Sequence, residues 1–136
     1  DLLLMAVFLH DSGKIYELGF EQGFEYTQQG RLIGHITLGI IELERKIAEI
    51  PDFPAILRDK LEHCLLSHHG QYEFGSPKLA ATAEALMVGY IDDLDAKLNF
   101  VEDAVENEQT SDDWTNWKQT NAQQGTRFYK KRVLEE

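Results

Sequence analysis

An ionisable pair at the end of an unbroken apolar run constrains this chain most. Residues 2–9 read LLLMAVFL, eight hydrophobic residues in succession, and His10 and Asp11 follow at once. A segment of that composition is expected to be buried. Titratable groups at its end are costly there unless something satisfies them. The Leu, Met and Ala content predicts a helix from Leu2 to His10, ended by Asp11, Ser12 and Gly13. The run is too short to span a membrane. It also lacks the basic flank and small-residue cleavage site of a signal peptide.

The chain has 136 residues, 43% of them hydrophobic and 27% charged, which suits one soluble domain with a real core. The formal charge of −11 repels nucleic acid unless divalent cations or a separate basic region intervene. The single cysteine, Cys64, forms no internal disulfide and fits a core position in a protein of the reducing cytoplasm. The chain starts at Asp1, without an initiator methionine, inside what reads as a buried helix. Further sequence is therefore expected upstream.

Residues 15–27 alternate weakly between polar and apolar and predict two short strands or an irregular hairpin. From Arg31 to Ile50 the period becomes helical, with Leu32, Ile36, Leu43, Ile47 and Ile50 near one face. Pro51 and Pro54 stop that helix and begin the next. There Leu57, Leu61, Cys64 and His68 recur at spacings of four, three and four, and Gly70 marks the end. Ser76 and Pro77 read as the N-cap and first residue of a last helix reaching Glu106, bent near Gly89. Leu94, Leu98, Val101 and Val105 form its later stripe. Residues 102–113 hold six acidic residues and no basic one, the pattern of a solvated helix end and linker. The expected organisation is a helical domain over residues 1–108, with a tail over 109–136 folded back onto it by Trp114 and Trp117. Arg127, Lys130, Lys131 and Arg132 in that tail either contact a phosphate backbone or offset the acidic surface.

Metal-type ligands recur at four places in these apolar helices: His10 with Asp11, then His35, then His68 with His69, then Asp92. Each has an ordinary structural alternative. His10-Asp11 can be a helix-end turn, His35 a core histidine, and His68-His69 a pair at the negative end of a helix dipole. Ala81, Ala85, Gly89, Asp92 and Ala96 can form a plain packing strip. Taken together, four imidazoles and two carboxylates suit a transition metal such as Mn, Fe, Co, Ni or Zn better than Mg or Ca. Six side chains suggest two neighbouring ions, with Asp11 bridging.

In "LHDSGK" and "IDDLDAK" the sequence resembles the HD superfamily of metal-dependent phosphohydrolases. With "GRLIGHITLG", "SHHGQYEFGSP" and "RFYKK" it looks closest to the bacterial YhaM-type HD-domain 3′-to-5′ exoribonucleases. The resemblance implies an all-α HD-domain helical bundle, with a short hairpin after the HD motif. It implies His10, Asp11, His35, His68, His69 and Asp92 as metal ligands and Lys14 as a phosphate-facing residue. Manganese is the expected ion, one or two per chain. Members of this group carry an earlier metal histidine and an upstream OB-type domain. No histidine precedes His10, and His63 is a poor substitute. Tyr72 and Phe74 either border the pocket and stack on a base or pack. Asp95 either orients a ligand or pairs with Lys97.

Three functions follow from this resemblance: an exonuclease acting on single-stranded RNA, a phosphohydrolase of small nucleotides or cyclic dinucleotides, and a non-catalytic metal- or nucleotide-binding domain. No membrane partner is expected, and the number of subunits is left open.

Overall fold

The computed structural model describes residues 1–19, 23, 25–120 and 123–131. Among the described residues the fold is all-α apart from two small antiparallel pairs of strands. It divides into two compact units, Asp1–Asp93 and Leu94–Glu136. The division falls inside the last helix, upstream of the boundary at 108 expected from the acidic run.

In the first unit, α1 (Leu2–Leu9) ends on His10 as expected. Its apolar run is not uniformly buried, because a helix has only one inward face. Ala6 is fully enclosed, with Leu2, Leu3, Val7 and Leu9 beside it, whereas Leu4 and Phe8 are exposed. After a turn at residues 10–13 comes α2 (Lys14–Glu17). The predicted hairpin is β1 (Leu18–Gly19) paired with β2 (Glu25–Tyr26), Leu18 opposite Tyr26.

The helix expected over 31–50 is two helices, α3 (Gln28–Ile33) and α4 (His35–Ile47). Gly34 separates them with φ 79°, a left-handed conformation that glycine adopts without steric cost. The break rotates Leu32 out of the stripe, and Ile50 lies beyond the end of α4. Both are exposed, while Ile36 and Leu43 are buried.

Pro54 caps α5 (Ala55–Ser67), as predicted, and Leu61, Cys64, Leu65 and His68 all face inward. Ser76 is not the N-cap of the last helix. Its hydroxyl donates to the Leu66 carbonyl at 3.1 Å, and the Lys78 N–H donates to the same oxygen at 3.2 Å. Leu66 lies in the last turn of α5, whose carbonyls lack helical partners, so that demand recruits residues 76–78 into a loop. Helix α6 (Ala83–Glu106) starts later, with Thr82 Oγ1 accepting from Ala85 N at 3.2 Å. The core of this unit is Ala6, Leu43, Leu61, Cys64, Leu65, Ala85 and Val88.

In the second unit α6 exposes Leu94 and Leu98 and buries Ala104. The tail forms β3 (Lys118–Thr120) and β4 (Gln123–Thr126), and Trp114 bridges to Tyr129. Glu102, Asp103 and Glu106 of the acidic stretch are exposed, as expected, and Glu108, Asp112 and Asp113 are paired. Glu108 accepts from the backbone N–H groups of Asn116 and Thr110 and lies 3.3 Å from Lys118 Nζ. Asp112 pairs with Arg127 and Asp113 with Lys131, each within 2.7 Å, and Lys130 donates to the Thr110 carbonyl. Arg127 and Lys131 therefore offset carboxylates of their own unit, and Lys130 is held by a main-chain carbonyl. Arg132 lies outside the described residues.

Candidate metal centre

The first unit brings the dispersed histidines and aspartates together. His10 Nε2 is 3.4 Å from Asp11 Oδ2 and 3.5 Å from Asp92 Oδ1. Asp11 Oδ1 is 3.6 Å from His35 Nε2 and 3.9 Å from His68 Nε2. The His68 and His69 rings meet edge to face at 4.4 Å, and the His35 ring lies 5.1 Å from His69. Two triads result, His35/His68/His69 and His10/Asp11/Asp92, each offering ligand atoms within 4.8 Å of one another.

Local structure explains each placement. His10 and His68 sit at the ends of α1 and α5, where Nδ1 donates back to the carbonyls of Val7 and Leu65, at 2.6 Å in both cases. His69 donates from Nδ1 to the Phe74 carbonyl at 2.7 Å, so the turn Tyr72–Phe74 orients it. His35 opens α4, and its Nδ1 faces the Glu17 carboxylate at 3.3 Å. All four imidazoles thus use Nδ1 outside the centre and turn Nε2 or the ring edge inward, the arrangement that fixes a metal-ligating tautomer. Gly13 lets the HD turn lie against α4. A Cβ there would overlap the His35 carbonyl oxygen and lie 2.6 Å from Gly39 N. Gly89 lets α6 pass close to His68, since a Cβ would stand 2.9 Å from its carbonyl oxygen. One helical turn later, α6 presents Asp92.

The charged groups of the centre pair with one another. The carboxylates of Asp11 and Asp92 raise His10 to about 10, against the opposing effect of burial. Burial pushes Asp11 up, but His10 and Lys14 more than offset it and hold its carboxyl well below the usual range. His10 likewise holds Asp92 down. Burial lowers His68 to about 4, leaving it a neutral donor of an electron pair. Asp11 Oδ1, His35 Nε2 and His68 Nε2 are buried and have no hydrogen-bond partner. Buried polar atoms are rarely left so, and a divalent cation fits this set chemically.

Lys14 Nζ donates to Asp11 Oδ2 at 2.6 Å and remains partly exposed. Tyr72 and Phe74 are more than half exposed rather than packed. Asp95 belongs to the second unit, where it accepts from Asn99 at 2.9 Å. His63 is engaged elsewhere, accepting from Ala81 N at 2.8 Å. Sequence reading missed Glu17, which fell within the segment 15–27 read as two short strands or an irregular hairpin and instead ends α2. Its only signal was an acidic residue three positions after Lys14, within an apolar context.

A helical unit that gathers histidines and aspartates from α1, α4, α5, α6 and the turns after them has the architecture of an HD domain. The family model for the HD domain matches residues 1–97, and the chain belongs to that family. It is 44% identical over 107 residues to "3'-5' exoribonuclease YhaM" of Bacillus subtilis (strain 168), covering 78% of this chain and 33% of that protein. The protein of the same name from Bacillus pumilus (strain SAFR-032) is also 44% identical over 107 residues, with the same shares. That from Geobacillus sp. (strain WCH70) is 43% identical over 106 residues, 78% of this chain and 32% of that protein. The chain thus spans about a third of the length of the curated relatives it matches. No solved structure gives a significant match. Among the described residues no helix is long and apolar enough to cross a membrane.

Proposed function

We propose that this chain is the hydrolytic domain of a metal-dependent 3′-to-5′ exoribonuclease acting on single-stranded RNA. His35, His68 and His69 are assigned to one divalent ion, and His10, Asp11 and Asp92 to a second. The observation that carries this reading is the set of three buried, unpartnered atoms, Asp11 Oδ1, His35 Nε2 and His68 Nε2. A cation among them removes the cost of burying them unpaired. Manganese is the favoured ion, with Fe, Co, Ni and Zn sharing the same ligand preference. Asp11 directs one oxygen toward each triad, which supports a bridging role.

When bound, such ions supply an activated water at neutral pH and neutralise charge on phosphoryl oxygens. The chain's own groups do the rest. Asp11 and Asp92 compensate the cationic charge, and the Nδ1 hydrogen bonds hold each imidazole against rotation. The Lys14 ammonium meets the phosphodiester as a point charge. Tyr72 and Phe74 are available to stack on a base. The net charge of −11 disfavours tight RNA binding by this domain alone, so RNA affinity is assigned to an OB-type domain elsewhere in a longer protein. The same charge favours the second reading, a small-nucleotide phosphohydrolase with a closed pocket.

The test is to determine metal content of the full-length protein and assay it with Mn²⁺ on single-stranded RNA, a cyclic dinucleotide and nucleoside triphosphates. Stepwise shortening of RNA from its 3′ end is the expected result. Turnover of the small substrates alone overturns the RNA assignment. A metal-loaded protein inert toward all three leaves a non-catalytic binding domain.

A further inference from the structure

Three of the four histidines at the centre are held by main-chain carbonyls, and His35 alone by a carboxylate. That carboxylate is Glu17, the last residue of α2, only 7% exposed. Its Oε1 accepts from the His35 backbone N–H at 3.0 Å and lies 3.3 Å from His35 Nδ1. Its Oε2 also lies 3.3 Å from Nδ1. The first contact is explained by helix geometry. Helix α4 begins after Gly34, which has no side chain to cap it, and the first N–H groups of a helix need acceptors. Glu17 supplies that acceptor from a neighbouring helix. The second contact is not needed for capping, since Oε1 alone satisfies the N–H.

The main chain at Glu17 is also tied down. Thr27 N donates to the Glu17 carbonyl at 2.9 Å, and Thr27 Oγ1 donates to the Tyr16 carbonyl at 2.8 Å. Both carboxylate oxygens therefore face Nδ1 from a fixed position. An acceptor there requires the ring proton on Nδ1, which leaves Nε2 bare. Nε2 is the buried, unpartnered atom 3.6 Å from Asp11 Oδ1.

We infer that Glu17 is a positioning residue that fixes the Nδ1–H tautomer of His35 and so presents Nε2 as a ligand, an inference that rests on the metal reading above. Metal-site partners of this kind act through ring orientation and ligand basicity.

Glu17→Gln separates this role from capping. The amide oxygen can still accept from the His35 backbone N–H, so the cap survives. The amide nitrogen then takes the place of Oε2, 3.3 Å from Nδ1, and competes with the amide oxygen for that atom, which shifts the ring toward the Nε2–H tautomer. The experiment uses the full-length protein, labelled with ¹⁵N-histidine, and reads the His35 ring nitrogens by NMR without metal. Mn²⁺ affinity is then measured by electron paramagnetic resonance, and thermal unfolding checks the fold.

Wild-type His35 is expected as Nδ1–H. E17Q is expected to unfold near the wild-type temperature, to populate Nε2–H, and to bind Mn²⁺ about 10- to 100-fold more weakly. An E17Q protein with the wild-type tautomer, or with Mn²⁺ affinity within about twofold of wild type, overturns the inference. If E17Q does not fold, the wild-type spectrum decides, since an Nε2–H His35 there overturns it unaided. Wild-type protein that binds no Mn²⁺ defeats the metal reading instead, and the tautomer measurement still decides the part played by Glu17.

Discussion

The two oxygens of Asp11 face different histidines: Oδ1 lies 3.6 Å from His35 Nε2, and Oδ2 lies 3.4 Å from His10 Nε2. One carboxylate thus joins the two triads, and it does so from the turn that ends the apolar run of α1. Replacing it with Ala is expected to remove metal retention and hydrolysis together. Metal affinity should fall by at least about a hundredfold, read by elemental analysis after dialysis. A D11A protein with full metal content and rate would rule out the bridging role.

Lys14 makes a different prediction, because it is not a ligand. Its Nζ donates to Asp11 Oδ2, and its side chain is partly exposed. Lys14→Met is expected to keep metal content while the turnover rate drops by about 10²- to 10³-fold. Equal loss of metal and rate would show that Lys14 merely supports Asp11.

Away from the centre, Glu62 on α5 has its carboxyl raised, first by burial and then by the neighbouring Glu44 carboxylate. The folded state therefore favours the protonated acid. The stability this contributes is fully present below the ordinary glutamate range and is lost as pH rises through the raised value. Glu62→Gln mimics the protonated form. It is expected to raise stability at pH 7, by at most about 1 kcal/mol, with the gain vanishing near pH 4. Urea denaturation at the two pH values measures the difference, and equal gains at both would exclude the explanation.

In the second unit Glu108 has the opposite sign. Backbone N–H groups of Asn116 and Thr110, with Lys118, lower its carboxyl to about 2. Its contribution is complete above the ordinary glutamate value and disappears as pH falls through about 2. Both tryptophans of the chain, Trp114 and Trp117, belong to this unit, so their fluorescence reports it selectively. Acid titration of Glu108→Gln is expected to lose the part of the fluorescence change that wild type shows between about pH 4.5 and 2. An unchanged titration would mean that other carboxylates control the acid transition.

Much of the local structure is legible from residue types alone. The helix from Leu2 to His10 and the proline-started helix carrying Leu61, Cys64 and His68 follow from periodicity and backbone preference. Those preferences act over a few residues, so they survive in any context. Of the small strip expected before Asp92, by contrast, only Ala85 and Gly89 lie in α6, Ala81 preceding it. The break at Gly34 was harder to foresee, because the apolar period continues across it. Ser76 looked like an N-cap until the unpaired Leu66 carbonyl claimed its hydroxyl.

What the linear chain determined was the inventory: four imidazoles and two carboxylates in or at the ends of apolar helices, and a lysine just past the first of them. Only the folded arrangement decided that Asp11 spans two clusters, that Phe8 faces water despite its apolar neighbours, and that Glu17 takes hold of a histidine eighteen positions away. Those outcomes depend on distances between segments. Such distances come from close packing at Gly13 and Gly89 and from buried polar groups seeking partners, neither of which is encoded in any single stretch.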